Sequence, residues 1–135
     1  MKRREFLILT AAATLPLAAH ARAANYTPGL VKEHLAEGDT VFLDFKASWC
    51  STCAAQERVI NALKSDNPAY EKNIVFINVD WDNYRGSDLV RSMNIPRRST
   101  LVALKGDQEL GRIVAGTSKK QIKALMDSAL DAASA

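Results

Sequence analysis

Residues 41–63 read VFLDFKASWCSTCAAQERVINAL, and this stretch decides the fold. An apolar run up to residue 47 predicts a buried strand, and apolar residues recur at helical spacing after the cysteines. Cys50 and Cys53, the only cysteines of the chain, lie between the predicted strand and the predicted helix, at the start of the helix. If the helix starts at Cys50, both thiols lie on its first turn, within reach of a disulfide. The free N–H groups and the positive dipole end there favour a thiolate, the reactive form of cysteine. The spacing therefore predicts thiol–disulfide chemistry.

The same cysteine pair has two other possible roles. A zinc site needs four ligands, and the chain adds only His20 and His34, of which His20 lies in the N-terminal segment. A purely structural disulfide across so short a loop would stabilise little by chain entropy. We therefore expect no metal and no cofactor in a single chain. A metal or iron–sulfur site shared by two chains, each providing Cys50 and Cys53, is the alternative from a different class.

The first 23 residues, MKRREFLILTAAATLPLAAHARA, are typical of an export signal. They combine a basic start, an apolar run too short to span a bilayer comfortably, and small residues near the end. We predict cleavage after Ala23; cleavage after Ala21 and an uncleaved anchor are the alternatives. The motif RREFL also resembles a twin-arginine signal, and the ordinary secretory route is the alternative. Either route predicts a periplasmic location, where cysteines meet oxidising conditions.

The formal net charge of +3 arises within this segment, because residues 24–135 contain 14 basic and 14 acidic side chains. Residues 24–135 therefore have no excess of positive charge that would attract nucleic acid. The length of 135 residues suits one domain with a proper core. We expect residues 24–135 to form this domain as a monomer.

Asp44 is unusual, because a lone carboxylate is costly in a strand that is apolar on both faces. One interpretation places the strand end in solvent. The functional interpretation places a carboxyl behind the thiols, with a pKa raised by burial and a proton to take or give.

The remaining chain predicts the order helix, strand, helix, strand, helix, strand, strand, helix. Thr27 and Pro28 are expected to open the first helix, and residues 80–86 are expected to form a loop. This order indicates an α/β fold with a central mixed sheet, a closing hairpin and helices on both faces.

Residues 31–130 resemble thioredoxin. The resemblance is carried by Phe42-Leu43-Asp44-Phe45, Ala47-Ser48-Trp49-Cys50-x-x-Cys53, Asn78-Val79-Asp80 and Ser99-Thr100-Leu101. It implies a thioredoxin fold with Cys50 as the exposed nucleophile and Cys53 as the buried resolving thiol. It further implies that Trp49 shields the site and that Asp44 assists Cys53.

The chain departs from that family at several positions. Ser51 and Thr52 replace the Gly-Pro of cytosolic thioredoxins, and their hydroxyls are expected to donate to the thiolate and shift the redox potential towards oxidation. Phe76 stands where thioredoxins often carry a lysine near the buried aspartate, and Lys46 is the expected substitute.

A further departure concerns the residue opposite the cysteines, where the family has a cis-proline. Counting back from the last helix without gaps places Ser99 there, with the alternative that Ile95-Pro96 takes the role. We expect Ser99 to contact the thiolate or the substrate backbone. Arg98 either lies in a solvated loop or faces the cysteines, where it would stabilise the Cys50 thiolate and favour acidic partners.

The sequence thus predicts an exported thiol–disulfide oxidoreductase that reduces disulfides of periplasmic proteins. The resemblance implies that a membrane electron transporter supplies its electrons. The alternatives are an oxidase that introduces disulfides, the shared metal site described above, and a redox-inert binding module.

Overall fold

The computed structural model describes residues 23–135, so the predicted export signal lies outside the described residues except for Ala23. In this part of the chain, five strands form one sheet in the order β1-β3-β2-β4-β5. Their bounds are β1 Ala24–Asn25, β2 Thr40–Lys46, β3 Ile74–Asp80, β4 Thr100–Lys105 and β5 Gln108–Val114.

The sheet is mixed, as the sequence predicts. Strand β2 lies at its centre, parallel to β3 and antiparallel to β4. Strand β1 extends the parallel side, and β5 closes the other side as an antiparallel hairpin with β4. The continuous apolar pattern of β2 follows from this central place, since all but its last residue are buried.

Within residues 23–135, six helices cover the sheet. They are α1 Leu30–Ala36, α2 Ser51–Asp66, α3 Ala69–Asn73, α4 Trp81–Tyr84, α5 Asp88–Ser92 and α6 Lys119–Ser134. Helices α2, α3 and α6 pack on the face that contains Phe42, and α1, α4 and α5 pack on the face that contains Leu43. Helices on both faces confirm the predicted fold class. No helix within residues 23–135 is long and apolar enough to cross a membrane.

The structure corrects the element boundaries at two places. Helix α1 starts at Leu30 rather than at Pro28, because Gly29 adopts a left-handed φ of 90° that a continuing helix excludes. The predicted loop at residues 80–86 contains α4, whose first turn is capped by the Asp80 carboxylate.

Candidate active site

The two cysteines lie at the start of α2, shortly after β2 ends, and they form a disulfide. Cys50 is the N-cap of α2 in an extended conformation, and its Sγ accepts a hydrogen bond of 3.1 Å from the Cys53 backbone N–H. This is the placement that the sequence predicts. A thiolate formed at Cys50 therefore faces a backbone donor at the positive end of a 16-residue helix.

Access to the disulfide is narrower than the family resemblance implies. The exposed fraction is 5% for Cys50 and 1% for Cys53, so the expectation of an exposed Cys50 is wrong for the disulfide form. Both side chains pack with Ala47, and Trp81 covers this small cluster. Trp81 comes from the short helix α4, and because the sequence predicts a loop there, it does not predict a part for Trp81 in the site.

Trp49, the expected shield, is instead 59% exposed. Its indole Nε1 donates to both carboxylate oxygens of Asp82 at 3.0 and 3.1 Å, which fixes the ring orientation. The Arg98 guanidinium carbon lies 4.5 Å from the centre of the same ring, a cation–π contact. Arg98 thus reaches the site through Trp49, and its effect on the thiolate stays a prediction.

Ser99 lies directly beside the disulfide. Its Oγ is 3.1 Å from the Cys50 Sγ and 3.1 Å from the Cys53 Sγ, and the residue is fully buried. No peptide bond within residues 23–135 is cis, and Pro96 is exposed. The Pro96 alternative is therefore wrong, and Ser99 occupies the position opposite the cysteines.

Ser51 and Thr52 do not bond to the sulfurs. Within the described residues, the hydrogen bonds to the two Sγ atoms come from the Ser99 hydroxyl and the Cys53 N–H. The reason is helical geometry, because residues one and two positions after Cys50 point away from its side of the helix. Donation from Ser51 and Thr52 to the Cys50 thiolate stays a prediction, because the structure contains the disulfide.

Gln56, which the sequence analysis did not single out, connects α2 to the Ser99 loop. Its side chain is fully buried, and Nε2 donates to the carbonyl oxygens of Ser99 and Gly116, each at 2.9 Å. One feature of the sequence indicates this role: Gln56 lies one helical turn after Cys53, on the face of α2 that is buried.

Asp44 is buried on the α2 side of the sheet, with 6% exposure, so the solvated interpretation is wrong. Burial raises the pKa of its carboxyl to about 7; Lys46 and Lys64 lower it, and Glu57 raises it. The carboxyl lines a cavity of about 40 Å³, and its Oδ1 has no hydrogen-bond partner within the described residues. Such a polar cavity has room for a water molecule. A carboxyl that titrates near neutral pH can accept and return a proton.

Two lysines balance the buried charge. Lys46 Nζ pairs with the Glu57 carboxylate at 3.1 Å at the edge of the cavity. Lys64 Nζ lies 4.0 Å from the centre of the Phe76 ring, and burial lowers its pKa. Lys46 is thus near Asp44, as expected, and Lys64 is a second cation that the sequence analysis missed.

One group within residues 23–135 has metal-ligating atoms close together, and it is separate from the cysteines. The ligand atoms of His34, Glu37 and Asp39 lie within 4.8 Å of one another. His34 Nδ1 is already paired with Asp39 Oδ2 at 2.8 Å, which explains the placement of both side chains.

Comparison with known proteins agrees with this geometry. Residues 20–128 match the family model described as thioredoxin. The chain is 30% identical over 83 residues to rice thioredoxin H2-1, covering 62% of this chain and 55% of the relative, so the match spans about half of that protein's length. It is 28% identical over 99 residues to the Aspergillus fumigatus thioredoxin Asp f 28, covering 73% of this chain and 86% of the relative.

The crystal structure of Trxlp from Edwardsiella tarda is similar at 25% identity with a TM-score of 0.66, covering 77% of this chain and 98% of the other. The fold, the cysteine pair at the start of α2 and the extent of the family match support the same assignment. The chain belongs to the thioredoxin family, with a Cys50–Cys53 pair of the thiol–disulfide oxidoreductase type.

Proposed function

We propose that the protein is an exported thiol–disulfide oxidoreductase that reduces disulfides of periplasmic proteins. The observation that carries the proposal is the combination of a cysteine pair at a helix N-terminus with a buried carboxyl whose pKa is about 7. The helix end favours the Cys50 thiolate, and the carboxyl provides a proton acceptor at neutral pH.

The reaction proceeds by two exchanges. The Cys50 thiolate attacks one sulfur of the substrate disulfide, that bond breaks, and the other substrate sulfur leaves as a thiolate. Cys53 then gives its proton to Asp44 and attacks the Cys50 Sγ. The second substrate thiolate leaves, and the Cys50–Cys53 disulfide of the structure is formed. Two electrons pass to the substrate, and an external dithiol must return them.

The surface around the site suits an extended protein substrate. The exposed Trp49 ring precedes Cys50 and contacts the partly exposed Arg98. Val114, the other large apolar side chain exposed in residues 23–135, ends β5 opposite Thr100, the residue after Ser99. A membrane electron transporter is the proposed source of electrons, and the enzyme is proposed to act as a monomer.

A test uses insulin as the disulfide substrate and dithiothreitol as the electron source. The wild type is expected to accelerate reduction, and Cys50→Ser is expected to remove this activity. Cys53→Ser, incubated with insulin after dithiothreitol has been removed, is expected to accumulate a covalent adduct with the substrate, visible on a non-reducing gel. Reduction no faster than with dithiothreitol alone, together with no adduct of Cys53→Ser, would reject the proposal.

Export is tested separately by expression of the full chain in a bacterium. Strand β1 begins at Ala24, so cleavage after Ala23 would leave every described element intact. We expect the periplasmic form to begin at Ala24 on N-terminal sequencing. Replacing Arg3 and Arg4 by lysine is expected to block a twin-arginine route and to leave the ordinary secretory route open. Recovery of only the unprocessed chain in the cytoplasm would contradict export.

The opposite direction, oxidation of dithiols, is the second candidate. The observation that favours it is the Ser99 hydroxyl within 3.1 Å of both sulfurs, because a donor to a thiolate stabilises the reduced pair. A strongly oxidising potential of the pair would select this candidate.

A further inference from the structure

The backbone at Ser99 has a conformation that needs support. Its φ is 64°, in the left-handed region that residues with a side chain seldom adopt. Such conformations persist where the surroundings fix them, and they concentrate at functional sites.

Two backbone hydrogen bonds and one side chain fix Ser99. Its N–H donates to the Phe45 carbonyl at 2.7 Å, and its own carbonyl accepts from the Ala115 N–H at 2.9 Å. The Gln56 amide donates to the same Ser99 carbonyl and to the Gly116 carbonyl, at 2.9 Å each. Gln56 therefore joins the helix that carries the cysteines to the two loops beside them.

The result is a hydroxyl held between two sulfur atoms and shielded from water. Ser99 is fully buried, so bulk water does not compete for its hydroxyl. In the disulfide form neither sulfur carries a proton, and the hydroxyl donates its single proton to one sulfur or the other.

Reduction changes what this hydroxyl can do. Two electrons and one proton convert the disulfide to a Cys50 thiolate and a Cys53 thiol. A hydroxyl has one donor and two acceptor sites, so Ser99 can then accept from the Cys53 S–H while donating to the Cys50 thiolate. A hydrogen bond to a charged acceptor is about twice as strong as one between neutral groups. The same hydroxyl therefore stabilises the reduced pair more than the disulfide.

We propose that Ser99 is the hydrogen-bond donor that stabilises the Cys50 thiolate, and that the buried Gln56 amide is the positioning residue that holds Ser99 between the sulfurs. The proposal rests on the proposed thiol–disulfide function. It adds which residues set the redox equilibrium of the Cys50–Cys53 pair. A proline at this position has no hydroxyl and no N–H to offer, so this site differs chemically from the family pattern.

The test compares the thiolate titration and the glutathione equilibrium of the purified protein and its variants. Ser99→Ala deletes the hydroxyl, and Gln56→Met deletes the amide donors at similar volume. Ser87→Ala is the matched control, because it deletes a serine hydroxyl that caps α5 and lies outside the site. The Cys50 titration is followed by the rate of alkylation against pH.

Ser99→Ala is expected to raise the Cys50 pKa by about one to two units, the size of a charge-assisted bond. It is also expected to shift the glutathione equilibrium towards the disulfide by about tenfold, or about 30 mV. Gln56→Met is expected to act in the same direction and more weakly, and to add nothing in the Ser99→Ala background. Ser87→Ala is expected to lower the thermal midpoint and to leave the titration unchanged.

An unchanged Cys50 titration in Ser99→Ala, in a wild type that reduces insulin, would overturn the donor role and leave the proposed function standing. An equal effect of Gln56→Met with and without the Ser99 hydroxyl would overturn the positioning role. Ser99→Gly provides a second reading, because glycine relieves the left-handed backbone while deleting the hydroxyl. It should raise the pKa as Ser99→Ala does, and a wild-type value would contradict the proposal.

Discussion

Replacing Asp44 by asparagine should stabilise the protein at alkaline pH, because the change removes a carboxyl that burial keeps from ionising freely. The folded-state pKa is about 7, against 3.8 for an unperturbed aspartate side chain. Between these values the folded protein holds one more proton than the unfolded chain. Stability therefore falls as the pH rises through this window, and the full penalty is present above about pH 7.

The magnitude follows from the distance between the two pKa values. A gap from 3.8 to about 7 corresponds to about 4 kcal/mol at about 1.4 kcal/mol per unit. At about pH 5 the penalty is only about 2 kcal/mol, because this pH lies only about one unit above the pKa of the unfolded carboxyl. The advantage of Asp44→Asn over the wild type should thus grow by about 2–3 kcal/mol between about pH 5 and about pH 8.

The assay is denaturant unfolding of both oxidised proteins at the two pH values. With the disulfide intact the cysteines do not titrate, and the His34–Asp39 pair is common to both proteins and cancels. Packing differences between the carboxyl and the amide also cancel, because they do not depend on pH. A stability difference that is the same at both pH values would refute the account of Asp44 as a buried carboxyl titrating near neutrality.

Three further predictions concern the surroundings of the site. Arg98→Ala is expected to raise the pKa of the attacking thiolate by about half a unit, as a solvent-screened charge would, while Arg91→Ala on the exposed surface leaves it unchanged in the same alkylation assay. Glu57→Gln removes a negative charge beside the buried carboxyl, so that carboxyl should titrate below about 7 by NMR, and a higher value would contradict the charge arrangement. Gly116→Ala would place a Cβ 2.8 Å from a β5 side-chain carbon and should destabilise by about 1–3 kcal/mol in thermal unfolding. Gly86→Ala, with nothing within 4 Å, is the control, and equal stability of the two variants would reject the clash.

The sequence predicted the sheet and the placement of the cysteines because both depend on local patterns. Strand β2 is apolar on both faces as a central strand must be, and Cys50 caps the helix that the spacing after it predicts. Asp44 was found for the same reason, as the one carboxyl in that strand. The residue spacing from the last helix predicts Ser99 opposite the cysteines, and the structure confirms this position.

What the sequence did not predict depends on contacts between distant segments. Trp81 covers the cysteines from a four-residue helix, too short for any periodic signal. The role of Gln56 requires the Ser99 and Gly116 carbonyls to converge on one helix face, 43 and 60 residues away in sequence. Ser51 and Thr52 adjoin Cys50 in sequence, but in the disulfide form the hydrogen bonds to the sulfurs come from Ser99 and the Cys53 N–H.

The measurement that tests the central claim most directly is the equilibrium of the Cys50–Cys53 pair with a series of glutathione ratios. The account of a periplasmic reductase predicts a potential nearer to about −270 mV, where thioredoxin lies, than to about −120 mV, where the oxidant DsbA lies. A value near about −120 mV would contradict the reducing direction and make the protein an oxidant of dithiols.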